Sequence, residues 1–235
     1  MPVYALSEAI CFPDPSLARA DGLLAVGGDL SPERLLNAYC MGIFPWYSEG
    51  EPILWWSPNP RLILIPSRFH MSSSLKKTLR QKRFTVTLDT AFKDVMAACA
   101  AVRQDQGEGT WILPDMEKAY YRLHQAGFAH SVEAWQDGEL AGGLYGVSLG
   151  RGFFGESMFF KKSNASKAAF ATLVEFLTAH EFEFIDCQMK TPHLMSLGAE
   201  ERPRSVFLDM LHQTLEFPTL RGRWSLESEN GLKIG

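Results

Sequence analysis

The chain has 235 residues, 46% of them hydrophobic and 21% charged, with a formal net charge of −4. That is enough chain to bury a sizeable core as one large domain or two small ones. The acidic balance excludes a protein coated in basic charge for nucleic acid but leaves local basic patches open, and no apolar run approaches the roughly 20 residues that span a bilayer.

The N-terminal stretch "MPVYALSEAICF" lacks the basic n-region and long apolar h-region of a signal peptide, so a soluble, cytoplasmic protein is expected. Four cysteines, Cys11, Cys40, Cys99 and Cys187, are scattered without a C-x-x-C pair, which argues for reduced thiols and against zinc or a disulfide framework.

In chain order, the first 60 residues are rich in Gly, Pro and Trp and carry one strong helix signal. Ser31 is placed as N-cap, Pro32 at the first helical position, Leu35, Leu36 and Tyr39 on one face, and Gly42 as the stop. After "WWSPNPR" the texture changes to regular helix and strand patterns, which puts a domain boundary near Asn59 to Arg61 and divides the chain into residues 1–60 and 61–235. A basic helix over Ser73 to Lys82 leads into the strand "RFTVTL", and a helix around Ala91 to Ala101 leads into the loop "RQDQGEGTW". A further helix, Asp115 to Ala126, stops at Gly127. The strand "HSVEAW" turns at Asp137-Gly138 into "ELAGGLYGV", a hairpin signal, and "RGFFGESMFF" follows as a third neighbouring strand. A helix over Asn164 to His180 returns the chain to the strand "FEFIDCQM", and a last helix is expected from about Arg204 to Leu215. Antiparallel strands, a crossover helix and another strand predict an α+β fold with a mixed sheet in the second domain.

Alternation along "FEFIDCQM" places Asp186 and Gln188 on one face, their Cα atoms roughly 6.5 Å apart, close enough to touch one bound group. Cys187 would then point with Ile185 and Met189 to the other face, into the core. In "FFGESMFF", Glu156 shares a face with Phe154, Met158 and Phe160, where a carboxylate is costly unless paired or hydrogen-bonded. A structural ion pair with a lysine or arginine and a functional site are the two readings there. Trp46, Trp55, Trp56 and Trp111 lie in loop-like sequence, either as platforms for a nucleobase or as wedges between domains, the second expected of at least Trp55 or Trp56. "KKTLRQKR" holds five basic residues in eight, a solvated helix face or a phosphate-binding stripe. Gln104 to Gly109 matches a loose coenzyme A loop pattern, but such a loop should cap the helix after the central strand, where this chain has "KKSNASKAAF" with no glycine.

The blocks "GLLAVGGDLSPERLLNAYCMGIFPWY", "ILWWSPNPR", "GEGTWI", "AHSVEAW", "GGLYGV", "GESMF", "NASK", "FIDCQ" and "HLMSLGA" resemble, in order and spacing, the bacterial leucyl/phenylalanyl-tRNA–protein transferases. The resemblance runs from about Gly22 to Ala199. It implies a small N-terminal α/β domain and a C-terminal domain of the GNAT acetyltransferase fold. It implies transfer of leucine or phenylalanine, less readily methionine, from aminoacyl-tRNA to the N-terminal arginine or lysine of acceptor proteins, which marks them for N-degron degradation. By the same resemblance Glu156, Asp186 and Gln188 are catalytic, and Trp46 and Trp111 hold the 3′-terminal adenosine. Leu144, Phe153, Met158 and Ile185 line the aminoacyl pocket, while Lys76, Lys77, Arg80, Lys82 and Arg83 meet tRNA phosphates. No cofactor or metal is implied, and a monomer is expected. Ile185 fits this only if the strand twists, bulges or splays, because strict alternation sets it opposite Asp186. A coenzyme A-dependent acetyltransferase and a non-catalytic module for RNA ends are the competing readings.

Overall fold

The computed structural model describes residues 3–105 and 112–226. Its first sheet has four strands: β1 (Tyr4–Leu6), β2 (Leu23–Gly27), β3 (Phe44–Pro45) and β4 (Leu54–Trp56), ordered β1-β2-β4-β3. Between β2 and β3 runs helix α1 (Pro32–Cys40), with the expected ends. Ser31 Oγ accepts from the Arg34 N–H, Pro32 opens the first turn, and Gly42 takes φ 68° just beyond the last. A Cβ at Gly42 would lie 2.7 Å from Leu208 and 2.9 Å from Phe207, so this glycine also admits the C-terminal helix.

The second sheet has seven strands: β5 (Arg61–Leu64), β6 (Thr85–Leu88), β7 (Ala129–Gln136), β8 (Glu139–Leu149), β9 (Gly152–Phe160), β10 (Phe184–Gln188) and β11 (Glu200–Arg202). Their spatial order is β11-β5-β10-β9-β8-β7-β6, all antiparallel except the β10–β9 pair. The sheet is mixed, as expected, because helix α5 (Ala165–Ala179) carries the chain from β9 to its parallel neighbour. The predicted turn joins β7 to β8, with Asp137 at φ 55° and Gly138 at φ 79°, the signs that a two-residue hairpin of type I′ demands. The remaining helices are α2 (Ser73–Arg80), α3 (Phe92–Asp105), α4 (Pro114–Gln125), α6 (Pro192–Ser196) and α7 (Arg204–Leu215).

The apolar side chains divide by sheet face. Leu144, Phe153, Ile185 and the α5 residues Phe170 and Leu173 pack in one cluster, whereas Tyr145, Phe154, Phe159 and Phe184 pack with residues of α1, α3, α4 and α7 in the other. That second cluster also takes in Trp55 and the core of the four-stranded sheet, so the two sheets share one apolar interior.

Several expectations need correction. The basic helix ends at Arg80, with Lys82 already at φ 47°, and α3 continues to Asp105, into what reads as loop. Residues 106–111, including Trp111, lie outside the described residues. Trp55 and Trp56 stand on strand β4 rather than in a loop. Trp55 is fully buried, and its Nε1 donates to the Gly27 carbonyl at 2.8 Å. Strand β5 escaped prediction because its four residues are all buried and show no alternation.

Candidate active site

The site grows from a failure of pairing. Strands β9 and β10 run together only through Phe184, Ile185 and Asp186, which face Gly152, Phe153 and Phe154. Beyond that point each strand departs from its outer neighbour's register. On β9 the pairing to β8 passes from Gly155 to Ser157, leaving Glu156 as the extra residue, and on β10 the pairing to β5 passes from Asp186 to Gln188, leaving Cys187. A bulge bends its strand and re-aims a side chain. Two of them opposite one another open the sheet between β9 and β10.

A cavity of about 310 Å³ occupies this opening. Its lining draws on both sheet faces: Leu144, Phe153, Met158, Phe170, Leu173, Ile185 and Cys187 from the α5 side, and Phe44, Pro45, Trp46, Tyr145 and Glu156 from the other. Ile185 lines the cavity although strict alternation sets it opposite Asp186, since a gap between strands is reached from both faces. Gln188, Met189, Thr191, His193 and Leu194 close the β10 and α6 end. Phe170, Leu173 and His193 were not anticipated. The two α5 residues read as ordinary core positions on an apolar helix, and only the tertiary packing shows that they bound a cavity.

Asp186 and Gln188 do not present their side chains to one bound group. Gln188 lines the cavity; Asp186 is fully buried and does not. Arg61, 1% exposed, donates from Nε to Asp186 Oδ1 at 2.8 Å and from Nη2 to Oδ2 at 2.7 Å. The Gln188 N–H adds a third hydrogen bond to Oδ1 at 2.9 Å, with Gln188 at φ 53°. Cys187 is corrected in the other direction: it is half-buried, at the bulge, and lines the cavity instead of filling the core. Burial pushes its thiol well up, with the Asp186 charge adding to the effect, so it stays protonated and is a poor nucleophile.

Among the described residues Glu156 has no ion-pair partner. Two phenols hold it instead: Tyr39 Oη of α1 donates to Oε1 at 2.7 Å and Tyr120 Oη of α4 to Oε2 at 2.9 Å. The two hydroxyls also touch each other. Burial raises the Glu156 carboxyl from its ordinary 4.5 to about 7, outweighing the lowering effect of the two phenolic hydrogen bonds. Burial, reinforced by the Glu156 charge, pushes both tyrosines well above 10, so they remain donors. His193 is shifted down by burial and by nearby Lys167. Sequence reading placed Tyr39 on the apolar face of α1 and missed this role; its hydroxyl, which a buried tyrosine must satisfy, was the available signal.

Trp46 stands at the cavity with 38% of its surface exposed. Trp56 supports it, ring centroids 5.6 Å apart, and donates from Nε1 to the Trp46 carbonyl at 2.6 Å. Lys76, Lys77 and Arg80 on α2, with Lys82 and Arg83 just beyond, lie toward solvent, and none has an ion-pair partner among the described residues. Leu75 and Thr78 supply the buried face of that helix. Among the described residues no group of three or more His, Cys, Asp or Glu could hold a metal ion, and no helix is long and apolar enough to cross a membrane.

The family model described as leucyl/phenylalanyl-tRNA protein transferase matches residues 63–212, and the model of that transferase's N-terminal domain matches residues 28–59. A curated relative from Desulfatibacillum aliphaticivorans is 97% identical over 232 residues, covering 99% of this chain and all of that protein. Relatives from Anaeromyxobacter sp. (strain Fw109-5) and Maridesulfovibrio salexigens are each 58% identical, covering 97% and 95% of this chain and 97% and 94% of their own. All three are named leucyl/phenylalanyl-tRNA–protein transferase. Matched by that family model over residues 63–212 and by these relatives over nearly its whole length, the chain belongs to the leucyl/phenylalanyl-tRNA–protein transferase family.

Proposed function

We propose that the protein transfers leucine or phenylalanine, and less readily methionine, from aminoacyl-tRNA to the N-terminal arginine or lysine of acceptor proteins, as a cytoplasmic monomer acting in N-degron marking. The observation that carries this reading is the cavity between β9 and β10, lined by the apolar Leu144, Phe153, Met158 and Ile185 and by the polar Glu156 and Gln188. Such a cavity takes unbranched-at-β apolar side chains by size and discriminates between near-isosteres by only about 1 to 3 kcal/mol per methylene. Phe170 and Leu173 extend the same wall.

In the reaction, the acceptor's α-amine nitrogen attacks the ester carbonyl carbon; a C–N bond forms, the C–O bond to the terminal ribose breaks, and the ribose oxygen leaves with a proton. The ester is already activated, so no nucleotide or covalent enzyme intermediate is required. An α-amine with a pKa of about 7.7 to 8.0 is partly neutral near pH 7 and needs only a modest base. Glu156, with a carboxyl near 7, is suited to take the amine's proton and return it to the leaving oxygen. The Gln188 side chain, which cannot act as a base, holds the amine in line. Asp186, engaged by Arg61 and by the Gln188 N–H, serves behind them as a support. Trp46 offers a stacking face to the terminal adenosine, and Trp111 is assigned the same role. The stripe of Lys76, Lys77, Arg80, Lys82 and Arg83 meets backbone phosphates, which carry no sequence information.

The test is a transfer assay with purified protein and labelled Leu-tRNA, Phe-tRNA and Ile-tRNA against peptides beginning with Arg, Lys or Ala. Leucine and phenylalanine should reach the Arg and Lys peptides alone. Absence of any transfer sinks the proposal.

A further inference from the structure

Arg61 lies outside the cavity, yet it touches two elements that line it, β10 and β3, and also the C-terminal helix. Its fork grips both oxygens of Asp186 from the neighbouring strand, and its guanidinium carbon lies 4.9 Å from the Phe44 ring and 4.7 Å from the Phe207 ring. Phe44 itself lines the cavity, and Phe207 belongs to α7. The guanidinium therefore joins β5 to β10, to the strand that leads into Trp46, and to the C-terminal helix.

Taking two charges out of water is seldom repaid as stability, so an ion pair this deeply buried is better understood by what it orders. What it orders is the turn at Gln188. A non-glycine residue in the left-handed region is strained and persists only where its surroundings over-determine it. Here the restraint is the Asp186 carboxylate two residues back, accepting from the Gln188 N–H. A carboxylate that could rotate would be a poor restraint; one clamped by a planar fork cannot rotate.

We infer that Arg61 is a positioning residue for the transfer reaction, which locks the Asp186 carboxylate so that it holds the Gln188 main chain in its left-handed turn and its side chain toward the cavity. The inference rests on the aminoacyl-transfer reading of that cavity. A second consequence is electrostatic. Glu156 is faced by Tyr39 from α1, Tyr120 from α4, Asp186 from β10 and Arg61 from β5, with His193 of α6 on the same cavity. Asp186 and Arg61 act on the Glu156 carboxyl with opposite sign, the first raising and the second lowering the pH at which it titrates. Arg61 thus keeps the support's charge from suppressing ionisation of the base.

The experiment measures kcat, KM for Leu-tRNA and the pH profile in Arg61→Lys, Arg61→Met and the double variant Arg61→Met/Asp186→Leu, each normalised to folded protein by thermal melt. Arg61→Lys keeps the charge but loses the fork: kcat should fall about 10²-fold, with KM for Leu-tRNA nearly unchanged and the pH limb in place. Arg61→Met should lose kcat similarly and shift the limb to higher pH. The double variant replaces the charges with an apolar pair, which buried sites often accept without loss of stability, and it decides the matter where the single variants fold poorly. It should melt near the wild type and lose as much kcat as Arg61→Lys. A folded Arg61→Lys or double variant that retains kcat within about twofold overturns the inference while wild-type transfer stands. A wild-type protein that transfers nothing overturns the underlying reading instead.

Discussion

On the β10 side of the gap, Asp186 meets a guanidinium and a main-chain N–H; on the β9 side, Glu156 meets two phenols. Asp186 is fully buried, whereas Glu156 is partly buried at the cavity wall. The first has a full positive charge in bidentate contact and is spent as structure. The second has neutral donors alone, and desolvation wins over them, leaving its carboxyl at about 7. Desolvation without a counter-charge brings the Glu156 carboxyl into the neutral range, whereas the bidentate guanidinium holds the Asp186 carboxylate in one orientation.

The largest effect that can break this contrast is on the support side. Asp186→Ala leaves Arg61 buried and uncompensated and should cost about 3 to 5 kcal/mol of unfolding free energy in urea titrations. A wild-type midpoint would deny that the pair is structural. Glu156→Gln tests the other side: the fold should survive, while transfer drops by about 10²-fold or more. Its pH profile should lose the rise near 7 and keep only the rise of the acceptor amine. Stability supplies an independent check with a definite sign. Because the folded carboxyl titrates above its ordinary 4.5, the native state holds a proton that the unfolded chain releases between 4.5 and about 7. Wild-type stability therefore declines as pH rises through that window, and the decline should be absent in Glu156→Gln.

Two smaller effects sharpen the same map. Leu144→Ala enlarges the apolar end without touching either carboxylate, and competition between Phe-tRNA and Leu-tRNA should move about tenfold toward the larger side chain. Equal losses for both donors would place Leu144 outside the pocket's selective surface. Smallest in the folded state is Lys76→Ala/Lys77→Ala/Arg80→Ala, on the solvent side of α2, which should leave unfolding within about 0.5 kcal/mol. It should instead flatten the salt dependence of tRNA binding, by about 0.7 to 0.9 in log–log slope for each phosphate left without its cation.

Elements whose signals are local were legible. Ser31-Pro32 and Gly42 mark α1, Asp137-Gly138 marks the hairpin, and the last helix runs over the expected Arg204–Leu215. These depend on caps, turn residues and periodicity within a few positions. Strand β5 was missed because four buried residues carry no period, and with it the partner of Asp186, which lies 125 residues away. Alternation along "FIDCQ" failed at one point, where a bulge opposite β5 advances Cys187 and re-aims Gln188. A bulge is a relation between two strands, so no single strand announces it.

The sequence by itself determined the family, the α+β class, the mixed sheet and the residue types around the cavity, because ordered blocks and local patterns survive translation into one dimension. Only the tertiary structure decided what each polar group does. The residues that set the state of Glu156 and Asp186 come from α1, α4 and β5, far along the chain, and the energy of a buried charge depends on its neighbours in space rather than on its neighbours in sequence.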